Sequence, residues 1–190
     1  RTADFKHAGE TIYLLGGLER GLAGTEWERV ARPADPGRDE ARAAEYERLE
    51  GVTRRTVEPD WKVARSTYSW LGGTRGRGQD LLSAVHDVSE GGLSTTLVEM
   101  ALARGLGVHL TDASSMGDRI WEYAFGEGFH GFVVSCAEKD SRGLEGQWTQ
   151  ASVPFQALGR TAVDGRFTDG LIDLSMVDCR AAWKREGYWP

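Results

Sequence analysis

The chain has 190 residues, 40% of them hydrophobic and 27% charged, enough for one domain with a sizeable core in an ordinary globular protein. Its 23 basic and 29 acidic residues give a net charge of −6 and a pI of about 5.3, which argues against a protein built to hold a nucleic acid polymer. No apolar run approaches the ~20 residues of a membrane span, and Cys136 and Cys179 have no metal-like spacing, so a reduced, cytoplasmic setting is expected. The N-terminus has no signal-peptide pattern, and a chain starting at Arg1 without a methionine reads as a fragment or a processed piece.

In chain order, Thr11–Leu15 reads as a short strand closed by Gly16 and Gly17. The glycine-punctuated loop GLERGLAGTEW (17–27) follows, with a hydroxyl at Thr25 and a carboxylate at Glu26. Such a loop can present N–H groups to an anion; it can equally be a turn with Thr25 as a helix N-cap. Residues 31–60 form a variable loop and helix region, with a charged helix over 41–50 and a strand over 52–58 as expectations. Asp60 should cap a helix that places Trp61, Ala64, Tyr68 and Leu71 on one face. The segment 72–79, with two arginines, should end it as a surface loop.

The chain is organised around LLSAVHDVSEGGLSTTLVEMAL (81–102). Leu81, Leu82, Ala84 and Val85 predict a buried strand, and Leu93, Leu97, Met100 and Ala101 share one helical face. Between them stand His86, Asp87, Ser89, Glu90, Gly91 and Gly92, at a strand tip feeding a helix N-terminus, where α/β proteins place anionic ligands. Two glycines there predict close approach of backbone to a phosphate or to another chain segment. Asp87 and Ser89 are equally helix-cap residue types.

Further on, strands are expected over 108–110, 132–136, 154–160 and 171–174, and helices over 113–123, 138–150 and 176–186. Glu127 lies in a glycine-flanked turn beside the 132–136 strand, and Cys136 reads as a small buried hydrophobe. His86 and His130 read as hydrogen-bonded strand-end histidines. The class is α/β (α+β), a single domain over 1–190 whose core and motifs lie in 80–136.

HDVSEGGL (86–93), with LVEMALARGLGV behind it, resembles the C-terminal domain of the aminoimidazole ribonucleotide synthetase superfamily. GETIYLLG (9–16), LAGTEW (22–27), AFGEGFHGFVVS (124–135) and ALGRT (157–161) fall in the family's order, and the set is most similar to the phosphoribosylformylglycinamidine synthases. Ala23 and Thr25 replace the usual Gly and Ser, and Gly128 and Gly131 replace side chains common after Glu127. The resemblance implies a two-layer sandwich, a mixed sheet with helices on one face. It implies an ATP- and Mg²⁺-dependent C–N ligase of purine biosynthesis that phosphorylates an amide oxygen and lets glutamine-derived ammonia displace the phosphate. Gly24 and Thr25 would hold a ribonucleotide 5′-phosphate. Ser89, Gly91 and Gly92 would meet nucleotide phosphate, Asp87 would bind Mg²⁺, and Glu127 would be a second acid near the substrate. The partners implied are an N-terminal ATP-binding domain, a glutaminase and a small accessory subunit, so this chain alone should be incomplete. Aminoimidazole ribonucleotide synthetase, selenophosphate synthetase and thiamine-phosphate kinase share the superfamily, and a non-catalytic association or sensing module of the same fold is the alternative of another class.

Overall fold

A computed structural model describes residues 2–17, 19–31, 40, 44, 46–47, 57–73, 79–111, 119–170 and 172–185. The helix expected over 41–50, the strand over 52–58 and the two arginines of 72–79 lie largely or wholly outside these residues.

The strands are β1 (Thr11–Gly16), β2 (Leu82–Asp87), β3 (Gly107–Leu110), β4 (Gly131–Cys136), β5 (Phe155–Ala162), β6 (Arg166–Thr168) and β7 (Asp173–Ser175). They form one sheet in the order β2-β4-β1-β5-β3-β6-β7. The β3–β6 pair is parallel and the other neighbours are antiparallel, so the sheet is mixed, as expected. The helices are α1 (Glu26–Ala31), α2 (Trp61–Leu71), α3 (Gly92–Leu102), α4 (Arg119–Phe125), α5 (Ser141–Gln150) and α6 (Met176–Arg185).

The layering differs from the expected two-layer sandwich, because helices cover both faces of the sheet. Ile12 and Leu14 of β1 point into a core with Leu93, Leu97 and Met100 of α3 and Met176 of α6. Tyr13 and Leu15 point the other way, against Trp70 of α2 and Leu144 and Trp148 of α5. Successive strand residues face opposite sides, so a central strand that is apolar at every position needs cover on both. Each fully buried large side chain contributes about 1.5–3 kcal/mol to that demand.

Two further expectations change. β2 is an edge strand, paired with β4 and touched by a parallel bridge from Thr2, so only Leu82 and Ala84 are buried and Leu81 sits outside it, exposed. In α2 the buried residues are Ala64, Thr67 and Trp70, while Trp61 and Tyr68 are 71% and 51% exposed. Trp70 sets that rotation by packing edge-on against Trp148, with ring centroids 5.7 Å apart. Asp60 caps α2 as expected, its Oδ1 accepting from Lys62 N–H and Val63 N–H at 2.9 and 3.0 Å. β6 had no strand signal in its three residues; it exists because Phe167, opposite Val108, fills the core.

Candidate functional site

Topology brings the motifs together. β1 ends at Gly16 opposite Gly131, and β2 ends at Asp87 opposite Phe132, so the loop after β1, the turn after β2 and the segment before β4 meet at one end of the sheet. GETIYLLG and ALGRT instead join at the other end. There Glu10 N–H donates to Thr161 Oγ1 at 2.9 Å, and Ser135 Oγ donates to the buried Glu10 Oε2 at 2.9 Å.

In the 22–27 loop, Thr25 is the N-cap residue of α1. Its buried hydroxyl donates to Leu22 O at 2.7 Å and accepts a long 3.4 Å bond from Glu28 N–H. Glu28 reaches back, its Oε2 accepting from Gly24 N–H at 2.6 Å, a capping-box exchange one residue out of the usual register. Gly24 has φ +76° with open space around the missing Cβ, so backbone conformation rather than crowding requires glycine there.

The two glycines after β2 have their explanation in another chain segment. At Gly92, φ +72°, a Cβ would lie 2.6 Å from Phe125 C and 2.8 Å from Gly126 O. Gly91 N–H donates to Glu127 Oε1 at 2.9 Å, and Gly92 N–H donates to Ser89 O at 3.1 Å. Both helix-start amides expected to meet a phosphate therefore have internal acceptors. The same Glu127 Oε1 accepts from Glu26 N–H at 3.0 Å, and the Glu127 backbone exchanges two hydrogen bonds with Gly21, at 2.9 and 3.0 Å.

Asp87 and Ser89 are exposed, and neither caps α3, whose N-cap is Gly91 in the left-handed region. Asp87 Oδ1 lies 3.3 Å from His86 Nδ1, which is also 2.7 Å from Asp87 O, and His86 Nε2 is 3.8 Å from Glu99 Oε2. Burial pushes the Glu99 carboxyl up, partly offset by His86. Among the described residues no three His, Cys, Asp or Glu side chains form a metal cage. A single exposed carboxylate does fit Mg²⁺, which takes one or two protein oxygens and fills its octahedron with water and nucleotide phosphates.

A cavity of about 270 Å³ is lined by Gly21, Ala23, Gly24, Thr25, Glu127 and Phe129, among others. A neighbouring one of about 340 Å³ shares Val57 and Phe129 with it. Gly24, Thr25 and Glu127 thus share one pocket, Gly91 is tied to it through Glu127, and Asp87 and Ser89 are not among its lining residues.

Two further residues lie at this end. The Arg20 guanidinium is buried against Tyr123, its Nη1 donating to Tyr123 O at 3.4 Å while Nη2 has no hydrogen-bond partner among the described residues, and burial brings it down to about 10. His130 takes φ +62° and has Nδ1 3.2 Å from Tyr68 Oη, a strand-end histidine held by a hydrogen bond as expected. The burial of Arg20 could not be found from sequence, because GLERGLAG places it in an ordinary charged loop.

Residues 7–170 match the family described as AIR synthase related protein, C-terminal domain. The chain belongs to that family. Among its relatives are the proteins named phosphoribosylformylglycinamidine synthase subunit PurL of Parvibaculum lavamentivorans, 27% identical over 97% of this chain, and of Erythrobacter litoralis, 31% identical over 95%. The chain spans 20% and 23% of their lengths. Among solved structures, Thermotoga maritima PurL complexed with FGAR has a TM-score of 0.63 at 13% identity, covering 93% of this chain and 28% of that one. PurLQS from Thermotoga maritima has a TM-score of 0.62 at 10% identity, covering 92% and 26%. This AIR synthase C-terminal fold is the mixed α+β architecture described above. No helix among the described residues is long and apolar enough to cross a membrane.

Proposed function

We propose that this chain is the substrate-phosphate domain of an ATP-dependent formylglycinamidine ribonucleotide synthase acting in the cytoplasm, and that it is inactive without an N-terminal ATP-binding domain. The observation that carries the reading is the convergence of LAGTEW, HDVSEGGL and FGE on one end of the sheet, with Gly24, Thr25 and Glu127 around one cavity. Relatives named as subunits of that synthase, and neighbours solved with FGAR and with ATP, support the substrate and nucleotide assignments. The neighbour named PurLQS supports a multisubunit assembly, in which a glutaminase would supply ammonia and a small accessory subunit would join it.

The substrate 5′-phosphate would sit at Gly24 and Thr25. For Gly24 N–H to meet it, the phosphate replaces the Glu28 carboxylate, one anion exchanging for another on the same donor. Ser89 would donate its exposed hydroxyl to a nucleotide phosphate. Asp87 would hold Mg²⁺, which when bound neutralises charge on the transferring phosphoryl group. Glu127 stands at the pocket wall, and Gly91 and Gly92 shape the turn that presents Ser89.

Isothermal titration of formylglycinamide ribonucleotide, with and without Mg²⁺–ATP and the N-terminal ATP-binding domain, tests this. Thr25→Ala should weaken the ribonucleotide and leave the nucleotide unchanged, and Asp87→Asn should do the reverse. Absence of heat with both domains present would favour a non-catalytic module of this fold instead.

A further inference from the structure

We propose that Glu127 is a positioning residue, a clasp whose single carboxylate oxygen fixes the 22–26 loop against the 89–92 turn. Its functional consequence rests on the ribonucleotide-phosphate reading above. Oε1 accepts from Glu26 N–H at 3.0 Å and from Gly91 N–H at 2.9 Å, donors that are 101 and 36 residues away in the chain. The clasp itself cannot drift. The Glu127 backbone is bridged in both directions to Gly21, and the preceding Phe125–Gly126 peptide packs where a Gly92 side chain would be.

The chemistry suits a carboxylate. One anionic oxygen can accept two amides at once, and each charge-assisted bond is stronger than a neutral one. The acid thereby sets the spacing between the Gly24–Thr25 backbone and the Ser89 hydroxyl. A ribonucleotide phosphate at the first and a nucleotide phosphate at the second would find that distance already fixed, without the cost of ordering two loops. Glu127 acts through those loops and not by touching the ligand.

Amide hydrogen exchange on the ¹⁵N-labelled chain tests the clasp without any ligand. Glu127→Ala should speed exchange at both Glu26 and Gly91, by about tenfold or more, while Leu14 and Val133 in the sheet stay protected. Glu127→Gln keeps a side-chain carbonyl and should retain most of the protection. Should the alanine variant fail to fold, Glu127→Asp serves, because one methylene less prevents the oxygen from reaching both amides and at least one must lose protection. Unchanged exchange in Glu127→Ala, or in Glu127→Asp where it stands in, overturns the proposal, and so does exchange in Glu127→Ala that rises at only one amide. Titration with ribose 5-phosphate gives the second readout. Affinity should survive in Glu127→Gln to within about threefold and fall about tenfold or more in Glu127→Ala. A loss in Glu127→Gln with exchange intact would make Glu127 a direct contact and overturn the positioning role. If the wild-type chain binds no ribose 5-phosphate, the functional reading fails while the exchange pattern still decides the clasp.

Discussion

Replacing Gly24, Gly91 and Gly92 one at a time by alanine separates the two reasons a chain needs glycine. All three have φ between +72° and +79°, so each substitution carries the left-handed penalty of about 1–2 kcal/mol. At Gly24 nothing among the described residues lies within 4 Å of the new Cβ, and that penalty is the whole cost. At Gly91 the nearest atom is Thr95 Oγ1 at 2.6 Å, a side chain that can turn away by giving up its 2.8 Å bond to Gly91 O, adding about 1 kcal/mol. At Gly92 the obstacles are main-chain atoms of Phe125 and Gly126, at 2.6 and 2.8 Å, with no rotamer to escape into. Overpacking there adds about 1–3 kcal/mol and pushes the segment carrying Glu127 away from α3. Urea unfolding with an unchanged m-value is the assay. The expected order is Gly24→Ala mildest and Gly92→Ala worst, with at least about 1 kcal/mol between those two. A Gly92→Ala midpoint equal to that of Gly24→Ala would refute the crowding argument.

Three other outcomes follow from the same structure. Burial and the 2.6 Å bond to Glu145 push the Tyr13 hydroxyl up from 10.0 to about 12, so the unfolded chain releases a proton that the folded one keeps. Stability should therefore fall as pH rises from 10.0 towards about 12, and Tyr13→Phe should flatten that part of the unfolding curve. Trp148 is fully buried between Tyr13, Trp70 and Phe155, and Trp148→Ala should cost about 3–5 kcal/mol in urea unfolding by emptying the second core. Glu28→Ala removes the carboxylate that occupies Gly24 N–H, and titration should show ribose 5-phosphate binding tighter by about fivefold at low salt. Unchanged affinity there would mean that Gly24 N–H does not meet the phosphate.

Local pattern was enough for much of this chain. The apolar run at Thr11–Leu15, the cap at Asp60, the Leu93–Leu97–Met100 stripe and the strand carrying Cys136 were legible because burial periodicity and capping depend on near neighbours. So was the turn between Asp87 and Leu93, whose glycines announced a close approach. What approaches them was not legible. The Thr25 cap was one of two readings, but Glu28 accepts from Gly24 N–H and Glu127 from Gly91 N–H, donors that a linear reading had offered to a phosphate. The second helical layer was hidden for a similar reason. The face read for α2 was Trp61, Ala64, Tyr68 and Leu71, and only the inward turn of Trp70 and Trp148 onto Tyr13 shows which faces α2 and α5 cover. The sequence by itself determined most of the elements, their order and the motif residues that carry the site. The tertiary structure alone decided which donors already have acceptors and which faces are covered, because hydrogen bonds and packing between residues far apart in the chain depend on spatial proximity, which sequence periodicity does not encode.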